Sequence, residues 1–224
     1  MTALVMAALS AREVGRRRTV VLLVVALPLW FYLVRRGQAG QSTRMLAMGI
    51  GWAVSTLTLF VVNAARSMDP RLRLTGARAS ALVGGRLLAL TGGGVLLALG
   101  YWAVVLVDQD IRRPWAIGPM MLLTAVVAAP FGALVGALLP RELEGALALF
   151  SVVAVQMLAD PDGVVARFLP FWSARELGNF AVDGTGDGDL WRALLHAGLT
   201  WTVCLAGTLL VFGRRLRLAR YPEP

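Results

Sequence analysis

Residues 45–66 read MLAMGIGWAVSTLTLFVVNAAR, and this stretch decides the class of fold. From Met45 to Ala65 no side chain is charged, and a helix crossing a hydrocarbon core about 30 Å thick needs about 20 mostly apolar residues. At about 100° per residue, Met45, Met48, Trp52, Ser55, Thr56, Asn63 and Arg66 fall within about 120° of arc. They form one polar and soft stripe on an otherwise aliphatic rod. Such a stripe either lines a pathway or bonds one helix to another.

The rest of the chain is of the same kind. Of the 224 residues, 58% are apolar and 16% charged, with a mean hydropathy of +0.70, against about 45–50% and about 25% in soluble domains. A water-soluble fold is excluded. Six segments approach or reach spanning length: 19–34, 45–65, 81–107, 115–139, 145–159 and 190–213. The first and fifth are short, so arginine stems flanking the first and the 142–144 turn before the fifth must help complete those crossings. The expectation is an all-α membrane protein, one transmembrane domain over residues 1–224. Ahead of the first span, Leu4, Val5, Leu9 and Val14 interleave with Ser10, Arg12, Glu13 and Arg16. That mixture predicts an interfacial helix within residues 1–18.

All 22 basic residues are arginine, and no lysine occurs. A Walker A loop or a Schiff-base site needs a lysine amine, so this chain hydrolyses no nucleotide by itself. One cysteine, Cys204, and one histidine, His196, supply neither a disulfide nor a histidine metal site. No carboxylate lies deep in a span, which argues against proton or sodium coupling.

Arginine placement orients the chain. With the N-terminus inside, inner segments hold 13 arginines and 5 acids, and outer loops hold 7 arginines and 8 acids; Arg86 and Arg192 lie near helix ends. The net charge of +9 therefore becomes a topology signal rather than a nucleic-acid surface. Both termini are expected to be cytoplasmic. Trp30, Trp52, Trp102, Trp115, Trp172 and Trp191 fall toward the outer side, as an aromatic belt would.

Between the second and third spans, residues 67–78 have the form of a short helix, with Asp69 as its cap, Pro70 in its first turn and Gly76 at its end. Arg86 is expected to snorkel to the inner interface, and His196 to pack as a neutral ring. Gly132 and Gly136 form a GxxxG that favours close helix approach. Residues 160–189 carry six acids and two arginines around Phe168-Leu169-Pro170-Phe171-Trp172. That segment is too apolar for a solvated loop and too short to span, which predicts a broken or short interfacial helix, re-entrant into the outer leaflet, before the last span.

Asp162-Gly163-Val164-Val165-Ala166-Arg167 resembles the D-G-x-x-A-R core of the CDP-alcohol phosphatidyltransferases, six-span membrane enzymes. The remainder of that pattern is out of register. Position 159 is alanine, with Asp160 one residue late, and Gly178 precedes Asp183 and Asp187 with one residue too many. A slip of one residue turns a helical carboxylate by about 100° and breaks a shared metal site.

The whole plan resembles the ABC-2 type transporter permeases, the membrane subunits of bacterial ABC exporters. The arginine-bearing leader through Arg18, the segment Asp69 to Arg78, the turn Leu139 to Gly145 and the stretch Phe168 to Trp172 carry the likeness. The resemblance implies a multi-pass plasma-membrane permease without its own cofactor, partnered by an ABC ATPase that holds ATP and Mg. It also implies a second permease copy or paralogue. Asp69, Pro70, Arg71, Arg73 and Arg78 would form the coupling helix that docks on the ATPase. Trp52, Ser55, Thr56 and Asn63 would line the route of a hydrophobic or amphipathic substrate, and Phe168, Pro170, Phe171 and Trp172 would form the outer gate helix.

Overall fold

The computed structural model describes residues 2–160 and 163–216, and among these every regular element is helical. In chain order the helices are α1 (Ala3–Arg16), α2 (Arg18–Leu33), α3 (Ala39–Ala64), α4 (Asp69–Leu74), α5 (Ala79–Asp108), α6 (Pro114–Leu138), α7 (Glu142–Leu158), α8 (Val164–Phe168), α9 (Trp172–Gly178) and α10 (Asp187–Arg215). Four are long and apolar enough to cross a membrane: α3, α5, α6 and α10. α2 is apolar but has 16 residues, and α7 has 17, so at 1.5 Å per residue each is about 25 Å long. The arginine-bearing leader is helical as expected, and it lies against α5: Met6 and Ser10 are buried, and Gly85 leaves room for the carbonyl of Ala3.

The centre of the bundle is the α3–α6 seam. Small residues let the two backbones approach, since a Cβ at Gly132 would collide with the backbone carbonyl of Ser55 and one at Gly136 would meet Leu59 Cα at 3.3 Å. Ser55 then donates a hydrogen bond of 3.1 Å to the Ala128 carbonyl across the seam. Polar side chains with no water nearby hold helices together in this way. The helix-to-helix role predicted for the GxxxG is what Gly132 and Gly136 perform.

Arginines finish the two ends of the bundle. At one end Arg66 donates to the carbonyls of Gly136, Ala137 and Leu139, the last acceptors of α6, and so covers orphan groups that the helix cannot satisfy itself. Arg73 reaches the Leu216 carbonyl at this same end, where α1 also starts beside Gly76 and Arg78. Residues 2 and 216 therefore share one end with α4. At the opposite end Asp108 accepts from Tyr32 and Arg36, tying the close of α2 to the close of α5. Arg112, Arg113 and Arg44 hold the π-helical turn Asn179–Asp183 and the residues after it there, Arg113 with its guanidinium 4.1 Å above the Phe180 ring.

Several local expectations need correction. Asp69 does not cap α4, because it is the first helical residue and its carboxylate turns into the bundle. Arg86 does not snorkel outward: it forms a bidentate pair with Asp69, one bond measuring 2.7 Å, with both side chains almost fully buried. The outer stretch takes the broken form of the expected short helix, so the four residues expected on one gate helix are divided. Phe168 ends α8, Pro170 and Phe171 form the break, and Trp172 begins α9, since proline disfavours a helical conformation in the residue before it. Trp52 stands at the middle of α3 and not at a helix end. Asp162, Arg217, Arg220 and Glu223 lie outside the described residues.

Candidate functional site

The stripe on α3 divides between two environments. Ser55 faces the seam and is fully engaged by α6. Asn63 accepts from Arg66 at 2.8 Å and keeps that guanidinium aimed at the end of α6. Neither faces open space. Trp52 and Thr56 look the other way, into a cleft of about 420 Å3 between α2, α3 and α7. The walls of the cleft are aliphatic, from Val20 and Leu27 to Leu57, and its rim carries Glu13, Arg17 and Glu142. Glu13 and Arg17 pair with one another at 2.9 Å. The Thr56 hydroxyl is buried without a hydrogen-bond partner among the described residues. An unpaired hydroxyl in an apolar wall costs free energy unless something in the cleft meets it.

Trp52 closes the far side of this cleft. Its ring packs edge-on against Phe31 of α2, with centroids 5.9 Å apart, and tilted against Phe150 of α7 at 5.6 Å. Three aromatic rings from three helices therefore stand at mid-bundle. Beyond them, on the same side of α3, Met45 and Met48 line a second cavity of about 350 Å3 that reaches α7 and α9. Position 40 and position 49 explain how α3 can lie so close to its neighbours, since a Cβ at Gly49 would sit 2.7 Å from Pro28 Cα.

The α4 segment presents one face outward and one inward. Pro70, Arg71 and Arg78 are exposed. Asp69 is bound to Arg86, and Arg73 spends its guanidinium on the carbonyls of Ala77, at 2.7 Å, and Leu216, at 3.2 Å. Of the five residues expected on a docking surface, two are thus committed inside the chain. The Asp69–Arg86 pairing is 17 positions apart in sequence, a separation that no helical or strand periodicity signals.

At the other end, Phe171 is buried against Phe131, with centroids 5.9 Å apart, and lies over Gly51. Its N–H donates to Gln156 Oε1 at 3.2 Å. Trp172 packs on His196 with centroids 5.1 Å apart, and the His196 ring also meets the Arg167 carbonyl at 3.1 Å. Phe168 is 84% exposed. The acids downstream of the D-G-x-x-A-R motif are not gathered around a metal: Asp183 is held by Arg44, and Asp187 opens α10. Glu176 is buried in α9, where desolvation pushes its carboxyl above the usual range although Arg192 sits 3.2 Å away. Among the described residues no group of three or more histidines, cysteines or acids is placed to hold a metal ion. No protein-family model matches the chain, and no curated protein matches it.

Proposed function

We propose that the chain is the membrane subunit of an ATP-driven exporter of the ABC-2 permease kind. In this reading α2 and α7 complete six spans with α3, α5, α6 and α10, and the end that carries α4 and both described termini faces the cytoplasm of a bacterial cell. The partner ATPase supplies ATP hydrolysis and Mg, and a second permease copy or paralogue completes the assembly. The cargo is hydrophobic or amphipathic and enters the cleft between α2, α3 and α7.

One observation supports this reading above the others: α4 is a handle with a buried root. Its Pro70 and Arg71, with Arg78 beyond it, are exposed, while Asp69 beneath them is locked to Arg86 of α5 in a desolvated bidentate pair. A push on the exposed face is carried to α5 without slack, because breaking such a pair costs about 3–5 kcal/mol. Alternating access follows when closure of the ATPase moves α4, and α5 with it, relative to the helices around the cleft.

The test is co-purification. Arg71→Glu combined with Arg78→Glu reverses two exposed charges without touching an internal bond. Recovery of the proposed partner ATPase is expected to fall at least about tenfold, while membrane insertion is unchanged. Undiminished recovery, or conversion of a CDP-linked lipid precursor by the chain alone, overturns the reading.

A further inference from the structure

The leader helix α1 leaves one face unpartnered, and that face changes character along its length. Met6 and Ser10 are buried, and the Ala3 carbonyl of the same helix rests over Gly85 of α5. Away from this contact, Leu4 is 70% exposed, Val5 49% and Leu9 50%. Arg12 and Arg16 follow on the same side, since at about 100° per residue Val5, Leu9, Arg12 and Arg16 fall within about 60° of arc. Arg18, which opens α2, is exposed as well. From residue 12 to residue 18 there are four arginines and one glutamate. Arg17 takes that glutamate, Glu13, at 2.9 Å, and Arg12, Arg16 and Arg18 have no ion-pair partner among the described residues. The outward face of the leader is therefore apolar in its first half and basic in its second.

From this division we infer that the outward face of α1 binds the anionic phospholipid surface of the membrane, with Leu4, Val5 and Leu9 among the acyl chains and Arg12, Arg16 and Arg18 on the phosphates. A helix of this kind lies in the interface with a strength set by its buried apolar area and by its attraction to anionic lipid. The guanidinium is a planar fork that matches phosphate, and it gives up its hydration more readily than an ammonium does. Chain continuity sets the level at which this happens. α1 passes into the apolar α2 at Arg17 with no linker, and α2 exposes Leu22 and Leu23 one turn further on. Arg16 and Arg18 thus stand where the apolar surface begins, at the depth of the headgroups. An acidic surface alone would meet the arginines and leave Leu4, Val5 and Leu9 in water; a bilayer with anionic headgroups meets both. The inference needs the chain to sit in a membrane and does not depend on what it transports.

The test uses the full chain in nanodiscs, with a bimane label on Ala8→Cys in a Cys204→Ala background. Ala8 is exposed on α1 and belongs to none of the proposed contacts. Acrylamide, a neutral quencher, reaches the label from water. Nanodiscs of phosphatidylcholine alone are compared with nanodiscs of phosphatidylcholine and phosphatidylglycerol in equal parts. Acrylamide quenching is expected to be at least about threefold weaker with phosphatidylglycerol, and this protection is expected to fade as salt rises to about 1 M, where the screening length is about 3 Å. Arg12→Gln, Arg16→Gln and Arg18→Gln combined are expected to abolish the difference between the two lipids. The three lysine replacements, Arg12→Lys, Arg16→Lys and Arg18→Lys, keep the charge and are expected to retain most of it. Equal quenching in the two lipids, or a phosphatidylglycerol effect that survives in the glutamine variant, overturns the inference. Protection that appears only when the proposed partner ATPase is added assigns the face to a protein and overturns it too. The lipid comparison contains no ATPase, so the export reading stands or falls separately on the charge reversal at Arg71 and Arg78.

Discussion

The two sides of α3 are built on opposite principles. Toward α6 the helices touch backbone to backbone: Gly132 and Gly136 remove the side chains, and Ser55 bonds across to Ala128. Toward α2 and α7 the same helix faces about 420 Å3 of open cleft on one side of Trp52, and a second cavity on the other. A close-packed seam resists small displacement, while beside the Gly49–Pro28 contact the α2 and α7 side of α3 leaves space that side chains do not fill. The α3–α6 unit serves as the frame of the bundle.

The largest effect is expected where α4 is rooted on α5. Arg86→Met leaves the Asp69 carboxylate buried and unpaired, a loss of about 3–5 kcal/mol, measured as a lowered thermal midpoint in micelles. Replacing both partners with apolar residues is expected to recover most of that loss. Next comes the seam itself. Gly132→Ala forces backbone against backbone and is expected to cost about 1–3 kcal/mol or more, whereas Gly92→Ala, on a face of α5 with no atom within 4 Å, stays within about 0.5 kcal/mol of native. Equal effects at the two glycines would erase the contrast between welded and open faces.

Adjacent residues give a finer division. Ser55→Ala strands the hydrogen bond to Ala128 and is expected to cost about 1 kcal/mol, while Thr56→Val removes an unpartnered hydroxyl and costs nothing measurable. As single cysteines the same positions separate in the other direction: Thr56→Cys should react with a small thiol reagent from the cleft, and in the proposed assembly with an ATPase its rate should change with ATP analogues, while Ser55→Cys stays inert. The smallest effect concerns Glu176, whose carboxyl burial holds above its ordinary range. A raised carboxyl pKa means the folded state retains the proton longer, so stability falls as pH rises from the unfolded value near 4.5 through the folded one. Glu176→Gln is expected to flatten that part of the pH–stability curve, with pH-dependent melting as the measurement.

Much of this frame is legible in the amino-acid pattern. The long apolar runs of α3, α5, α6 and α10, the amphipathic leader and the short helix between α3 and α5 all follow from hydropathy and from Pro70 and Gly76. The α3 stripe is legible too, but not its meaning. Ser55 and Thr56 are about 100° apart on the helix, close enough to read as one face and far enough to meet different neighbours. The same holds at α4, where Asp69 beside Pro70 has the local signature of a cap. A partner 17 residues away on another helix outcompetes the local N–H groups, because the two buried charges satisfy each other in a bidentate pair.

The pairing of Arg44 with Asn179 and Asp183, more than 130 residues distant, is further from any local pattern still. Composition and periodicity by themselves determined that this chain is helical, which segments are long and apolar enough to cross a membrane, and at which ends its arginines gather. Those are properties of single segments against solvent. The tertiary structure alone decided which polar side chains are spent on neighbouring helices and which are left facing a cavity. That division depends on helix rotation and on where small residues permit contact, and neither is written in the spacing of any one helix.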